Sequence, residues 1–192
     1  MSGRTAPVGP RTKLPTAVVV MGVAGCGKTA VGQVLAERLG AAFIEGDSLH
    51  PPENIARMAA GEPLTDDMRA GWLDAVGREI ALKTGEGRAA VAACSALKRS
   101  YRDRLRGFYA DMLFLYLKLD AETAWARVEA RKGHFMPASL VNSQFAILEE
   151  PQADEAAGTL DATRPVEQLA TEAVALLQRR VPAVAPAIRS GL

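Results

Sequence analysis

The sequence predicts an α/β domain in three layers around a five-stranded parallel sheet, and three observations carry that prediction. Five short apolar runs recur along the chain, helical patterns separate them, and a glycine-rich loop follows the first run directly. Strands packed on both faces read as unbroken apolar runs, because neither side alternates with solvent. Helices between successive parallel strands supply the crossovers such a sheet needs.

The runs are residues 17–21, 42–44, 89–93, 113–117 and a weaker one at 158–160. After the first, Val31, Val34, Leu35 and Leu39 share one helical face; from Asp66 a longer helix presents Met68, Trp72, Leu73, Val76 and Ile80. Ser139 can cap a helix holding Leu140, Val141, Ile147 and Leu148, and Pro165 opens one with Val166, Leu169, Ala173 and Leu176. Two stretches exceed an ordinary crossover: 48–88 is expected to hold a substrate-binding insertion and 131–154 a lid region. Residues 1–16 carry Arg4, Arg11, Lys13 and three prolines without an apolar stretch, and read as a disordered leader, with a transit peptide as the alternative. Residues 181–192 read as a flexible tail, which leaves 17–180 as a single domain.

Composition narrows the function classes. A chain of 192 residues with 48% hydrophobic content supports one buried core. With 23 basic against 22 acidic residues, no overall field recruits nucleic acid or an anionic membrane. No apolar run approaches the ~20 residues of a membrane span. Cys26 and Cys94 form no CxxC or Cys/His cluster, which argues against a disulfide framework or a zinc site and fits a reducing cytoplasm.

Anion binding must therefore be local, and Gly22-Val23-Ala24-Gly25-Cys26-Gly27-Lys28-Thr29 supplies it. This is GxxxxGK[ST] between a strand and an amphipathic helix, the context in which the pattern has meaning. Glycines let backbone N–H groups converge on phosphate oxygens at a helix N-terminus, where the dipole also favours an anion. Lys28 is expected to reach the β- and γ-phosphates of ATP, and the Thr29 hydroxyl to ligate Mg²⁺. Cys26 reads as a small residue filling a loop position, although a thiol at a helix N-terminus can become reactive.

Phosphoryl transfer also needs an acceptor held in line beside a carboxylate. Asp47 lies just past the second apolar run, at the sheet edge where α/β proteins place ligands. Glu45, two residues earlier, can point the same way, towards hydrated Mg²⁺. The third run ends in Cys94-Ser95 without the aspartate many such enzymes place there. The metal would then rely on Thr29, phosphates and water, with indirect help from Glu45 or Asp47.

Several motifs follow in order: Phe43-Ile44-Glu45-Gly46-Asp47-Ser48-Leu49-His50-Pro51, Met58 with Gly61-Glu62-Pro63-Leu64, and Asp66-Asp67-Met68-Arg69 with Trp72-Leu73. Then come Cys94-Ser95-Ala96-Leu97-Lys98 with Tyr101-Arg102-Asp103, Arg127, Arg131-Lys132-Gly133-His134-Phe135-Met136, and Gln144 with Leu148-Glu149 and Pro151. Together they resemble gluconokinase of the small P-loop type, related to shikimate and nucleotide kinases, over about residues 18–178. The resemblance implies a P-loop kinase fold, ATP and Mg²⁺, and transfer of the γ-phosphoryl group to the 6-hydroxyl of D-gluconate.

A substrate with one carboxylate and several hydroxyls wants charged donors more than aromatic faces. His50, Arg57, Arg69, Lys98 and Arg102 supply such donors, and the first four are the expected contacts, with Asp47 orienting the acceptor and Lys98 neutralising substrate or transferring phosphate. Arg102 and Asp103 can equally form a structural pair, and Trp72 reads as core. Arg127 and Arg131, at i and i+4, are expected to close over ATP as such arginines do in kinases this chain resembles, with His134 at the lid turn. Residues 161–165 are expected beside adenine. A kinase for another acceptor, such as shikimate or a nucleoside monophosphate, stays open, as do a non-catalytic ATP-binding regulator and assembly as a homodimer.

Overall fold

The computed structural model describes residues 16–130 and 139–180. Its strands are β1 (Ala17–Met21), β2 (Ala42–Glu45), β3 (Ala90–Ala93), β4 (Leu113–Lys118) and β5 (Ala157–Asp161). They form one sheet in the order β2-β3-β1-β4-β5, and every pairing is parallel. The expected five-stranded α/β architecture is thus what forms. The largest difference lies in β5, whose residues Gly158 and Thr159 weaken the apolar signal. As an edge strand it pairs on one side only, and register with Phe114–Lys118 of β4 defines its length.

Described helices are α1 (Lys28–Leu39), α2 (Pro52–Ala59), α3 (Asp66–Gly85), α4 (Arg99–Arg106), α5 (Ala121–Ala130), α6 (Ser139–Ile147) and α7 (Val166–Arg180). Alternate residues of each strand serve opposite faces. Val18 and Val20 pack with Val31, Leu35, Leu169 and Leu177 on the face covered by α1 and α7. Val19 and Met21 pack with Trp72, Leu73, Val76, Ile80 and Leu105 on the face covered by α3 and α4. Within the expected insertion, α3 is therefore a layer helix as well, and α2 with the turn at 60–65 is the part that stands outside the layers. Thr65 caps α3 by accepting the Met68 N–H at 3.3 Å.

The topology fixes where a ligand can lie. From β1 the chain crosses to one side for β2 and β3, then to the other for β4, so a crevice opens at the carboxyl end of β1. The glycine loop leaves that end. Beside it, β2 runs straight into a 3-10 helix, Gly46–Leu49, with Asp47 in its first turn. Only glycine fits this corner, because a Cβ at Gly46 would stand 2.3 Å from the Ala93 carbonyl oxygen. The close pass over β3 puts Asp47 at the crevice.

Arg102 is fully buried on α4. It binds Glu155 through Nε and Nη2 at 2.6 and 2.7 Å and donates through Nη1 to the carbonyls of Ala96, Leu97 and Glu149 at 3.2, 3.3 and 3.0 Å. Burial and these bonds replace both readings of Arg102, as a substrate-side donor and as a partner of Asp103, while Asp103 meets Arg106 at 3.0 Å. Distance along the chain hid Glu155, which lies 53 residues away. Its carboxyl is held down to about 2 by Arg102.

Candidate active site

A cleft of about 370 Å³ occupies the crevice. One wall is the glycine loop. The Gly22 N–H donates to the Ser95 carbonyl at 3.3 Å as the chain leaves β1, and Val23 and Cys26 turn their side chains into the core beneath. Gly27 caps α1 with φ of 92°, a left-handed conformation that glycine adopts freely, and a Cβ there would meet nothing within 4 Å. With alanine at 24 and glycine at 25 and 27, this part of the loop brings little side chain to the cleft. Ala24, Gly25, Gly27, Lys28 and Thr29 line it, and Lys28 Nζ donates to the Val23 carbonyl at 3.0 Å. Gly22, Val23 and Cys26 shape the loop from below.

Cys26 has a packing role. Its sulfur occupies the space a side chain at Gly22 would need, where a Cβ would lie 2.8 Å from Sγ. Burial pushes its thiol up, against the pull of Lys28, so it is not the exposed thiolate that redox chemistry uses.

The facing wall carries Asp47, His50, Arg69 and Trp72. The Asp47 N–H donates to Glu45 Oε1 at 3.4 Å, and Ser48 Oγ donates to the Glu45 carbonyl at 2.7 Å, so Glu45 braces the turn that presents Asp47. His50 stacks on Trp72 with ring centroids 4.2 Å apart. Burial pushes its imidazole down to about 4, with Asp47 opposing the shift and Arg69 adding to it. Ser95 and Leu97 line the floor. Arg127 also lines the cleft, and its Nη1 donates to the Ala162 carbonyl at 3.0 Å and the Gly25 carbonyl at 3.5 Å. That guanidinium joins α5, the glycine loop and the turn after β5, the segment expected beside adenine.

Comparison with known proteins decides the family. The shikimate kinase family model matches residues 24–176. A gluconokinase of Gluconobacter oxydans is 49% identical over 141 residues, covering 73% of this chain and 79% of the relative. The thermoresistant gluconokinase of Escherichia coli is 41% identical over 162 residues, covering 84% and 93%. The chain belongs to the gluconokinase family. A crystal structure of a gluconokinase from Sinorhizobium meliloti 1021 superposes with a TM-score of 0.79 at 44% identity, covering 88% of this chain and 95% of that one. Shikimate kinase from Acinetobacter baumannii, at 21% identity and a TM-score of 0.55, shares the fold.

Within this gluconokinase-family cleft, Lys28, Thr29, Asp47, His50, Arg69 and Arg127 come together. Two expected contacts do not. Arg57, at the solvent end of α2, pairs with Glu62 at 2.9 Å. Lys98 donates to both carboxylate oxygens of Asp66, at 2.9 and 2.7 Å, which pushes its ammonium up and draws it off the cleft wall. Position just beyond a strand end suggested that Lys98 neutralises substrate or transferring phosphate, whereas here Asp66 at the start of α3 holds it. Arg131 and His134 lie outside the described residues.

Sequence reasoning missed two contributors. Trp72 is core, as its helical stripe implies, yet it also lines the cleft and donates Nε1–H to the Gly46 carbonyl at 2.7 Å. Gln144 accepts the Ala24 N–H at 2.7 Å and so grips the glycine loop from α6. Gln144 stood among the family motifs without a role, because its partner Ala24 lies 120 residues away.

Proposed function

We propose that this chain transfers the γ-phosphoryl group of ATP to the 6-hydroxyl of D-gluconate, giving 6-phosphogluconate and ADP. The observation that carries this reading is one cleft in which Lys28 and Thr29 face Asp47, His50 and Arg69. Donor and acceptor sites share that space, as in-line transfer requires. Arg69 and His50 suit a substrate of carboxylate and hydroxyls. The indole on that wall has a face covered by His50, which leaves a poor platform for a nucleobase.

Asp47 orients the 6-hydroxyl and takes its proton as the oxygen attacks. Lys28 exchanges the Val23 carbonyl for phosphate oxygens and neutralises charge that grows in the transition state. Arg127 holds the nucleotide end closed against α5, and Arg131 is its proposed partner from the lid. Lys98, paired with Asp66 and absent from the cleft lining, would serve the transferring group by exchanging that carboxylate for phosphate oxygens.

Mg²⁺ fits the donor set. Among the described residues no three His, Cys, Asp or Glu side chains form a metal cage. A hydroxyl at Thr29 completed by phosphate oxygens and water is the sparse coordination that Mg²⁺ prefers. When bound it supplies charge neutralisation at the phosphates.

The proposed organisation is a kinase domain at 17–180, with a substrate-binding insertion at 48–88 of which α2 is the part outside the layers and a lid region at 131–154; the leader at 1–16, but for Thr16, and the tail at 181–192 lie outside the described residues. No described helix is long and apolar enough to cross a membrane, and both cysteines are free and buried, in keeping with a cytoplasmic enzyme. ADP release measured with gluconate, shikimate or AMP as acceptor tests the assignment. Gluconate-dependent ADP formation with 6-phosphogluconate as product is expected; ADP at background with gluconate sinks it. Light scattering of the same preparation distinguishes monomer from homodimer.

A further inference from the structure

Asn54 on α2 is 1% exposed, a buried amide that the transfer chemistry does not use. Its Nδ2 donates to the Met68 carbonyl at 3.1 Å and lies 3.4 Å from His50 Nδ1. The Met68 carbonyl demands a donor, so it decides which end of the amide faces this way. An amide nitrogen brings a second hydrogen and no acceptor. His50 Nδ1 must therefore accept, because a proton there would set donor against donor. That leaves the single ring proton on Nε2. Trp72 fixes the plane of the ring, stacked at 13°, and is itself anchored to the Gly46 carbonyl.

We propose that Asn54 is a positioning residue that fixes His50 as the neutral, Nε2-protonated imidazole, giving the cleft an uncharged N–H donor for a hydroxyl or carboxylate oxygen of the acceptor. This rests on the proposed reading of the acceptor wall and names how that wall recognises oxygen. The charged groups acting on the ring are Asp47 on the 3-10 helix and Arg69 on α3, which oppose one another, and burial outweighs Asp47. The donor then keeps one form across the range in which an ordinary histidine, with a pKa of about 6.5, changes charge.

The chain has two histidines, so long-range ¹H–¹⁵N spectra of the full-length labelled protein contain two imidazole patterns, and His50→Gln assigns them. His50 is expected to show the Nε2–H pattern and to stay neutral down to about pH 5. In Asn54→Asp the new carboxylate accepts from Nδ1–H, so the tautomer reverses and the titration moves up. The KM for gluconate then rises about tenfold above that titration and recovers below it, where the imidazolium again donates from Nε2, while kcat changes less than about threefold. A merely structural role for Asn54 would not couple KM to pH in this way. A wild-type His50 with the Nδ1–H pattern, or one titrating near 6.5, overturns the proposal. Those spectra need no substrate; absence of gluconate-dependent ADP formation would count against the proposed reaction alone.

Discussion

The two walls of the cleft are made by different means. On the phosphate side, the contiguous run 22–29 brings Ala24, Gly25, Gly27, Lys28 and Thr29 to the cleft, with one lysine and one hydroxyl among them. On the acceptor side, Asp47, His50, Arg69 and Trp72 come from a 3-10 helix, the segment after it and α3; His50 stacks on Trp72, Trp72 donates to the Gly46 carbonyl and Arg69 donates to the Tyr101 hydroxyl. A wall built from one contiguous loop is read from spacing alone. A wall built from three elements exists only once they are packed, and a single substitution there disturbs position more than composition.

Variants can break that comparison, beginning with the largest effect. Lys28→Ala is expected to lower kcat/KM about 10³-fold and to weaken ATP binding with it, since Lys28 is the one ammonium among the described residues that line the cleft. Wild-type kinetics in that variant would remove the glycine loop from the reaction.

Glu155→Gln strands the buried Arg102 charge and should cost about 3 kcal/mol of stability in urea unfolding. Because Arg102 holds the Glu155 carboxyl down to about 2, its contribution is complete above the ordinary value of 4.5 and is lost as pH falls through about 2. The wild type should therefore lose stability through this window more steeply than the variant; parallel acid profiles would show that the pair is not what holds the cleft floor to α4.

Asp47→Asn should reduce kcat about 10²-fold while the Kd for ATP shifts less than about twofold, a split that separates the walls functionally. Unchanged turnover would exclude Asp47 as the proton acceptor. Arg57→Ala carries the smallest expectation, a change in the KM for gluconate of less than about twofold, because its guanidinium is spent on Glu62 at the surface. A large rise in KM would mean that α2 swings onto the substrate.

The sheet was legible wherever burial on both faces leaves an unbroken apolar run, as in residues 17–21 and 113–117. It was least legible at β5, where Gly158 and Thr159 dilute the run and pairing with β4 decides the strand. Of the residues that line the cleft, Lys28, Thr29 and Asp47 were legible from motif and strand end. The assignment of Lys98 did not account for Asp66, which lies 32 residues earlier and meets it only when α3 packs beside the end of β3.

By itself the sequence determined a phosphate-binding loop between a buried strand and a helix, the order of the layers, and the family motifs that follow. Those are local: backbone conformation, glycine spacing and periodicity need no distant partner. Tertiary structure decided which cations face the cleft, since an ion pair or a stacked ring depends on distances that packing alone sets. It sent Arg102 into the core with Glu155 and Arg57 to the surface with Glu62, and it brought Asn54 and Trp72 against His50.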